Sequence, residues 1–502
     1  MKEEPITPQL YLLRTIVMFV ALFLLYALAV WVTEIDINKL YEEGRQEQVV
    51  GVLRFLADPD VTNPDILDRL FGGGAGPITA TETAQNTLRL IVETIFMALM
   101  ATTFGTLLAI PVSFLAARNL MIEVTMPLAA IMGALIAIPI GGGLGWLVTR
   151  QLLNLANELA GQTVVAAIGL LVVAGLIAFL LRQGTQGNVR LVLGRSLLLL
   201  LLLLLGLGLL AGVGNPLGNW LAAQLDIVRL DFLGDAVAVV ADALGLFLAP
   251  FVGLLGALVA ASLGSRYGQE SVLRLPALPA KVLTTVLTML GMAIVVYGIG
   301  LTLNWLYQFD NPVNWTTIPA LIGGVVTGAL SLLVAVKRPF PIGAIIYGIT
   351  RGIFNILRSI EPLIMAVIFV VWVGLGPFAG VLALTLHTIA ALGKLFSEQI
   401  EGISEGPIEA ITATGANRLQ TIIFAVIPQI VPPYIAYTLY RWDINVRTST
   451  IIGFVGGGGI GFLLNQSIRL LRYRDASVMM LAIAIVVSTL DYLSSRVRSR
   501  VI

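Results

Sequence analysis

The stretch EAITATGANRLQTIIFAVIP, residues Glu409–Pro428, decides how the rest of this chain is organised. It is a long polar-to-amphipathic passage in a chain that is otherwise almost entirely apolar. Gly406 and Pro407 suit a helix start, so Glu409 would fall in the first turn, where a carboxylate meets unpaired N–H groups and the positive end of the helix dipole. Small residues follow, Gly415 allows a turn, and an apolar run ends at the final proline. The pattern predicts a short helix-turn-helix onto which another surface docks.

The composition places the chain in a membrane. Of its 502 residues, 58% are hydrophobic and only 12% are charged, and the mean hydropathy is +0.94. A soluble globular protein has about a quarter of its residues charged, so this is an integral membrane protein in contact with lipid. The net charge of +1 gives no electrostatic reason to expect nucleic acid as a partner.

The sequence contains few of the residues and motifs that catalysis or cofactor binding would need. The chain has no cysteine and one histidine, which excludes thiolate and multi-histidine metal sites. It has no G-x-x-x-x-G-K-[ST] stretch, so no P-loop binds a nucleotide on this chain. We expect no cofactor, no metal and no enzymatic activity.

Apolar segments of bilayer-spanning length predict an all-α polytopic fold with about twelve transmembrane helices. A polar loop, 34–86, separates the first two spans, and the docking segment occupies 394–429. The predicted spans are 12–33, 89–116, 127–148, 163–181, 196–213, 243–263, 282–303, 318–336, 353–373, 377–393, 430–452 and 477–494.

The distribution of Lys and Arg predicts the orientation, because cytoplasmic connections carry an excess of both. With a cytoplasmic N-terminus, the even-numbered connections and the C-terminus should be basic. They contain Arg118, Arg182, Arg190, Arg195, Arg266, Arg274, Lys281, Lys337, Arg338, Lys394, Arg418, Arg496, Arg498 and Arg500. The last outer connection is an exception, with Arg469, Arg472 and Arg474. Both termini and the docking segment are therefore expected inside, and loop 34–86 outside.

Polar side chains within the span 430–452 are the best candidates for a substrate path or gate. Arg441, Asp443, Asn445 and Arg447 lie in an apolar helix, where a charge costs about 2.5–3.5 kcal/mol even on mild scales. Asp443 and Arg447 can pair at i, i+4. Arg441 has no obvious local partner, and its guanidinium suits phosphate-like oxyanions. A structural ion pair with an interfacial arginine explains the same residues equally well.

Two further features have a structural and a functional interpretation. The glycines after this span, Gly453, Gly456, Gly459 and Gly461, have the wrong spacing for a nucleotide-binding loop and favour close packing or a gating bend. His387, within the span 377–393, is either a hydrogen-bonded structural residue or part of the path.

The docking segment resembles the cytoplasmic EAA loop of ATP-binding-cassette importer permeases, E-A-A-x3-G-x9-I-x-L-P. Glu409, Ala410, Gly415 and Pro428 match this pattern, whereas Ile411, Ala425 and Ile427 depart from it conservatively. The segments 90–119, 358–401 and 427–461 are similar to the phosphonate-type permeases, which serve phosphonate, phosphite, phosphate and related anions.

The resemblance implies a type I, MetI-like permease core made of residues 12–119 and 342–500, interrupted by six extra spans in 120–340. These residues delimit N-terminal permease spans (1–119), an inserted block (120–340) and a core with the coupling loop (341–502). From its own residues, the block 120–340 is interpreted as a scaffold whose helices pack through small residues.

The resemblance also implies a homodimer in the cell membrane, with ATP bound by separate ATPase subunits and substrate delivered by an extracytoplasmic binding protein. Glu409, Ala410, Gly415 and Pro428 would then couple the permease to the ATPase. Two other classes stay open from the residues alone. A secondary transporter or channel would need inverted repeats and coupling carboxylates, and a membrane enzyme would need a catalytic constellation.

Overall fold

The computed structural model of the protein describes residues 8–34, 42–63, 79–161, 163–182, 189–226 and 230–501. Of the predicted outer loop, residues 35–41 and 64–78 lie outside the described residues. The chain divides into two compact units: unit 1 comprises Met1–Met121 and Ile346–Ile502, and unit 2 comprises Ile122–Ile345.

Unit 1 is built from helices that come from both ends of the chain, with one short antiparallel strand pair, β1 (Thr62–Asn63) and β2 (Thr79–Ala80). The helices of the N-terminal part are α1 (Pro8–Thr33), α2 (Glu43–Leu56), α3 (Glu82–Leu115) and α4 (Arg118–Met121). Those of the C-terminal part are α12 (Ile342–Ser359, which begins at the junction with unit 2), α13 (Pro362–Val373), α14 (Pro377–Glu401), α15 (Glu405–Ala413), α16 (Arg418–Thr421), a π-helix (Ile422–Val426), α17 (Ile427–Gly453), α18 (Ile460–Arg469) and α19 (Tyr473–Val501).

Unit 2 is a bundle of long helices whose two ends meet. Strand β3 (Met126–Pro127), near its start, pairs antiparallel with β4 (Pro339–Phe340), near its end. Its helices are α5 (Leu128–Ala160), α6 (Thr163–Arg182), α7 (Val189–Leu225), α8 (Asp231–Arg274), α9 (Ala277–Tyr307), α10 (Pro312–Trp315) and α11 (Thr317–Ser331).

The expectation of an all-α polytopic fold with about twelve spans is confirmed. Within the described ranges, 11 helices are long and apolar enough to cross a membrane, or up to 12 if one bent pair counts as a span. Several helices extend well beyond the apolar window, as α8 does with its 44 residues around the predicted span 243–263. Polar helix ends thus continue past the bilayer-length segment.

The predicted single span 353–373 is wrong in shape. It consists of α12 and α13, which meet at an angle of 90°. The break falls before Pro362, and Glu361 has an extended backbone with ψ 136°. A residue that precedes proline is disfavoured in the α conformation, and the apolar composition on both sides concealed this break.

Small residues bring α5 and α8 of unit 2 into close contact. A Cβ built on Gly133 would lie 2.5 Å from the carbonyl oxygen of Gly264, and one built on Gly145 would lie 2.7 Å from that of Val252. Helices in a bilayer gain little from the hydrophobic effect and associate through such close backbone packing. The glycine-rich composition of this unit therefore has a packing role.

We predict that Gly133→Leu destabilises unit 2, because the new side chain must push α5 away from the backbone of α8. The overpacking should cost about 1–3 kcal/mol and lower the melting temperature of the protein purified in detergent. Gly143→Leu, on the same helix, is the control, since a Cβ there would meet nothing within 4 Å. Equal melting temperatures for the two variants would contradict this packing.

Candidate functional site

The docking segment forms a helix, a turn and a second helix, and its start differs from the sequence prediction. Helix α15 begins at Glu405 after Ser404, so Glu405 rather than Glu409 occupies the first turn and Gly406 is not the cap. Pro407 can sit inside this first turn because the first four N–H groups of a helix have no intrahelical acceptor. Gly415 then turns the chain with φ +81°, a conformation that favours glycine.

The apolar run ends at Pro428, but the helix of the second arm continues past this residue. The helix runs from α16 through the π-helix into α17, with Pro428, Pro432 and Pro433 inside its path. A proline has no N–H for the ladder and clashes with the preceding turn. The wider π turn just before Pro428 is the local adjustment that accompanies continuation of the helix.

Helix α15 presents small residues outwards. Ile408 packs against the buried cluster of unit 1 that contains Phe396 and Ile430, whereas Glu409, Ala410 and Ala413 are exposed. The outer face thus offers backbone and the carboxylates of Glu405 and Glu409 to an approaching surface.

Gln429 joins the two arms of the docking segment. Its Oε1 accepts a hydrogen bond from the backbone N–H of Ser404 at 2.9 Å, and its Nε2 donates to the carbonyl of Ala425 at 2.8 Å. The role of Gln429 is not visible in the sequence, because its partner Ser404 lies 25 positions earlier. The start of α15 is consequently tied to the beginning of α17.

A second anchor lies just before α15. Arg351 of α12 donates to Glu401 Oε1 at 2.8 Å and to the carbonyl of Ala116 at 3.1 Å. Glu401 Oε1 also accepts from the backbone N–H of Arg118 at 2.7 Å. This network fixes the end of α14 to α12 and to the end of α3, and neither Arg351 nor Glu401 was singled out from the sequence.

Asn445 is fully buried where α3, α14 and α17 cross. Its Nδ2 donates to Thr102 Oγ1 at 2.8 Å and to Thr388 Oγ1 at 3.0 Å. At the same crossing Gly105 leaves room for Thr388, whose Cγ2 would lie 2.5 Å from an added Cβ. Asn445 therefore acts as a structural bridge between three helices, and its side chain is buried in this arrangement.

Asp443 and Arg447 form the i, i+4 pair that their spacing predicts. Arg447 donates to Asp443 Oδ2 at 2.6 Å, and the Asp443 side chain is 6% exposed while that of Arg447 is 51% exposed. Asp491 of α19 lies 3.8 Å from the same guanidinium nitrogen. Asp443 Oδ1 is buried and has no hydrogen-bond partner among the described residues.

Arg441 differs from Arg447 because no described carboxylate pairs with it. It is only 8% exposed, and its Nε lies 3.4 Å from Thr388 Oγ1. A buried charge without a counter-ion costs several kcal/mol. Its charge acts on His387 and on Arg358 at the end of α12. Arg358 was not a candidate from sequence; its position near the kink before Pro362 was the available signal.

The glycine run forms a tight loop between α17 and α18. Gly456, Gly458 and Gly459 have φ of +91°, +79° and +72°. A Cβ on Gly453 would lie 2.6 Å from the backbone nitrogen of Phe462, and Gly461 packs as closely against Thr450.

Two side chains of α3 hold this loop. Glu93 Oε1 accepts from the N–H of Gly459 at 2.9 Å, and Thr94 Oγ1 accepts from that of Ile460 at 2.9 Å. The start of α18 is thus capped from within the protein and leaves these N–H groups unavailable to a nucleotide phosphate. A glutamate inside an apolar span was the signal for Glu93 that the sequence analysis did not use.

Comparison with known proteins identifies the family. Residues 324–501 match the family described as binding-protein-dependent transport system inner membrane component. The chain is 39% identical over 192 residues to a phosphite transport system permease protein of Stutzerimonas stutzeri. The aligned region covers 37% of this chain and 69% of that protein. The chain belongs to this permease family.

Two other relatives support the same assignment. A putative cryptic phosphonate transport system permease protein of Escherichia coli is 47% identical over 24% of this chain and 99% of its own length. A phosphate-import permease protein of Mycolicibacterium smegmatis is 41% identical over 31% of this chain and 30% of its own length.

The region matched by the family model contains the docking segment, Arg441 and the glycine loop. The protein is accordingly a multi-pass membrane permease and not an enzyme. Within the described residues no group of His, Cys, Asp or Glu could hold a metal ion.

We predict that Asn445→Leu destabilises the permease by about 1–3 kcal/mol, because Thr102 and Thr388 lose their shared partner in a buried crossing. Ser449→Ala, one turn further along α17, is the matched control, since that buried hydroxyl bonds only to its own helix at Val446. Unfolding of the purified variants in detergent measures the difference. A larger loss for Ser449→Ala would refute the bridging role.

We also predict that Gly458→Ala destabilises the loop before α18. Its φ of +79° strains any other residue, and the Cβ would lie 2.6 Å from the backbone nitrogen of Pro377. Strain of this kind costs about 1–3 kcal/mol. Gly348→Ala in α12, where a Cβ meets nothing within 4 Å, should leave the melting temperature nearly unchanged.

Proposed function

We propose that this permease forms the translocation path of an ATP-binding-cassette importer for phosphonate or a related phosphorus oxyanion. Relatives named for phosphite, phosphate and phosphonate transport support the substrate class. The buried, unpaired Arg441 supports it independently, because a guanidinium offers a fork of donors to an oxyanion. Arg447, which already has Asp443 as its counter-ion, is the weaker candidate for contact with substrate.

The observation that carries this proposal is the geometry of the docking segment. Its outer face consists of Glu405, Glu409 and small residues, Gly415 makes the turn, and Gln429 ties the segment to α17. We place the ATP-binding site on a separate ATPase subunit whose surface receives α15. Glu409, Ala410, Gly415 and Pro428 are the coupling residues in this scheme.

Helix continuity gives the coupling a physical route. A rigid-body movement of the docking segment passes through Gln429 into α17, which contains Arg441 about 18 Å further along at 1.5 Å per residue. Two permease copies form the path in this proposal, with their docking segments drawn together by the ATPase. A binding protein outside delivers the anion, both termini are cytoplasmic, and the membrane is the cell membrane.

We further propose that residues 120–340 are an insertion into a core made of 12–119 and 342–500. The two ends of unit 2 lie together, with Met126 paired to Phe340 and Pro127 to Pro339. Six candidate spans between these strands return the chain to the side it left.

A secondary transporter or channel is not favoured. The buried carboxylate that could serve an ion-coupled cycle, Asp443, already pairs with Arg447. Transport that persists without any ATPase would support this second class.

We predict that Glu409→Lys abolishes ATPase-coupled uptake while membrane insertion and expression stay normal. The reversed charge on an exposed face would repel the docking partner without altering the core. The measurement is uptake of radiolabelled phosphite by cells that also express the cognate ATPase and binding protein, with ATPase co-purification as a second readout. Gly415→Leu should do the same, because its φ of +81° is strained for leucine.

Glu270→Lys provides the control for charge reversal. Glu270 lies near the end of α8 in a surface pair with Arg274 and outside the docking segment. We expect wild-type uptake from this variant. Normal ATPase binding and uptake by Glu409→Lys and Gly415→Leu would overturn the coupling role.

A further inference from the structure

Three nitrogen-bearing side chains come from the region in which the end of α12 packs against α14 and α14 contacts α17. Arg358 comes from the last turn of α12, His387 from the middle of α14 and Arg441 from α17. Arg441 Nε lies 3.4 Å from Thr388 Oγ1, and Thr388 follows His387 in α14. Leu357, which precedes Arg358 in α12, packs against the cluster of Phe354 and Ala390, and Ala390 lies one turn beyond His387. The charges of Arg358 and Arg441 both bear on the His387 ring. They are 29 to 83 positions apart in sequence, so the fold creates the cluster.

The cluster has donors but no counter-ion. Arg441 is more than nine-tenths buried, and neither it nor Arg358 forms a salt bridge within the described ranges. His387 Nδ1 is buried and without a hydrogen-bond partner in that part of the chain. An arginine that served only the fold would be expected to find a carboxylate, as Arg351 and Arg447 of the same unit do.

A tetrahedral oxyanion is the ligand whose chemistry would satisfy these groups together. Two guanidinium groups can each donate more than one hydrogen bond to its oxygens, and an imidazole can donate or accept a further one. The low-dielectric surroundings strengthen each of these interactions. Arg358, which is exposed, can meet an anion first, and Arg441 can then hold it at depth.

We propose that Arg358, His387 and Arg441 form one binding site for a phosphorus oxyanion inside the permease itself. This inference rests on the proposed function and deepens it, since it gives the permease its own affinity for the anion. The phosphate group of a lipid shares the same chemistry, so the experiment must separate a free anion from a lipid headgroup.

The test is equilibrium binding of radiolabelled phosphate and phosphite to the purified full-length permease, without ATPase or binding protein. Unlabelled methylphosphonate serves as competitor, and the protein is measured in detergent and in phosphatidylcholine nanodiscs. We expect saturable binding that weakens about 10-fold or more in Arg358→Gln and in Arg441→Gln, from the loss of charged hydrogen bonds. Arg441→Lys should be intermediate, because lysine keeps the charge but lacks the planar fork.

Arg472→Gln is the matched control, since Arg472 is an exposed arginine of the same unit beyond α18. Its affinity for the anion should equal that of the wild type. The melting temperature of Arg441→Gln, measured without anion, distinguishes a binding role from a purely structural role. Removal of the unpaired charge in Arg441→Gln should raise it, whereas loss of a structural arginine would lower it.

Three results would overturn the site. One is unchanged anion affinity in both glutamine variants, and another is the absence of any saturable binding to the wild type. The third is co-purification of phosphatidylglycerol with the wild type but with neither variant, together with failure of phosphite to displace it. That result would assign the cluster to a lipid headgroup. Each of these results is distinguishable from failure of the proposed function. That failure would appear as a wild-type permease that neither binds the ATPase nor supports uptake.

Discussion

The organisation of unit 1 depends on one polar crossing in an apolar environment, the contact of Asn445 with Thr102 and Thr388. Helices surrounded by lipid gain little free energy from burying more apolar surface against each other. Small residues must let the backbones approach, and hydrogen bonds must then select one arrangement. Gly105 supplies the space and the amide supplies the bonds. This crossing orients α17, and thereby fixes which of its polar residues are paired and which are not.

The same helix links the docking segment with the polar residues for which we propose a role in transport. At one end Gln429 holds the docking segment, and further along Arg441 and the Asp443–Arg447 pair occupy neighbouring turns. The prolines near its start weaken the backbone ladder where the segment meets the helix, and the π turn lies at that point. Bending is therefore easiest between the docking segment and the part of α17 that contains Arg441. The side-chain bonds of Gln429 limit that bending, so in the proposed mechanism a movement of the docking segment would be transmitted to α17.

Sequence reasoning succeeded where the signal was local and failed where it was not. Apolar length predicted the spans, and the i, i+4 spacing predicted the Asp443–Arg447 pair. The right-angle bend before Pro362 cannot be read from the sequence because apolar composition continues across it. The continuous helix through Pro428 is equally hidden, because only the fold shows the π turn that carries a helix through proline. Glu93 and Arg358 were missed for another reason. The acceptor–donor pair Glu93–Gly459 spans 366 positions, and only the folded chain brings such groups together.

The closed ends of unit 2 would allow the proposed insertion to be accommodated without disturbing this arrangement. Segments are inserted most easily where the two ends of the inserted piece lie close together, because the host chain then continues almost as before. The β3–β4 pair and the bond from Gly343 N–H to the carbonyl of Val124 hold those ends together. An even number of spans is equally necessary, since an odd number would invert α12 to α19 and carry the docking segment to the opposite side of the membrane. The proposed insertion meets both conditions, so the coupling geometry and the Asn445 crossing can be those of an uninterrupted permease.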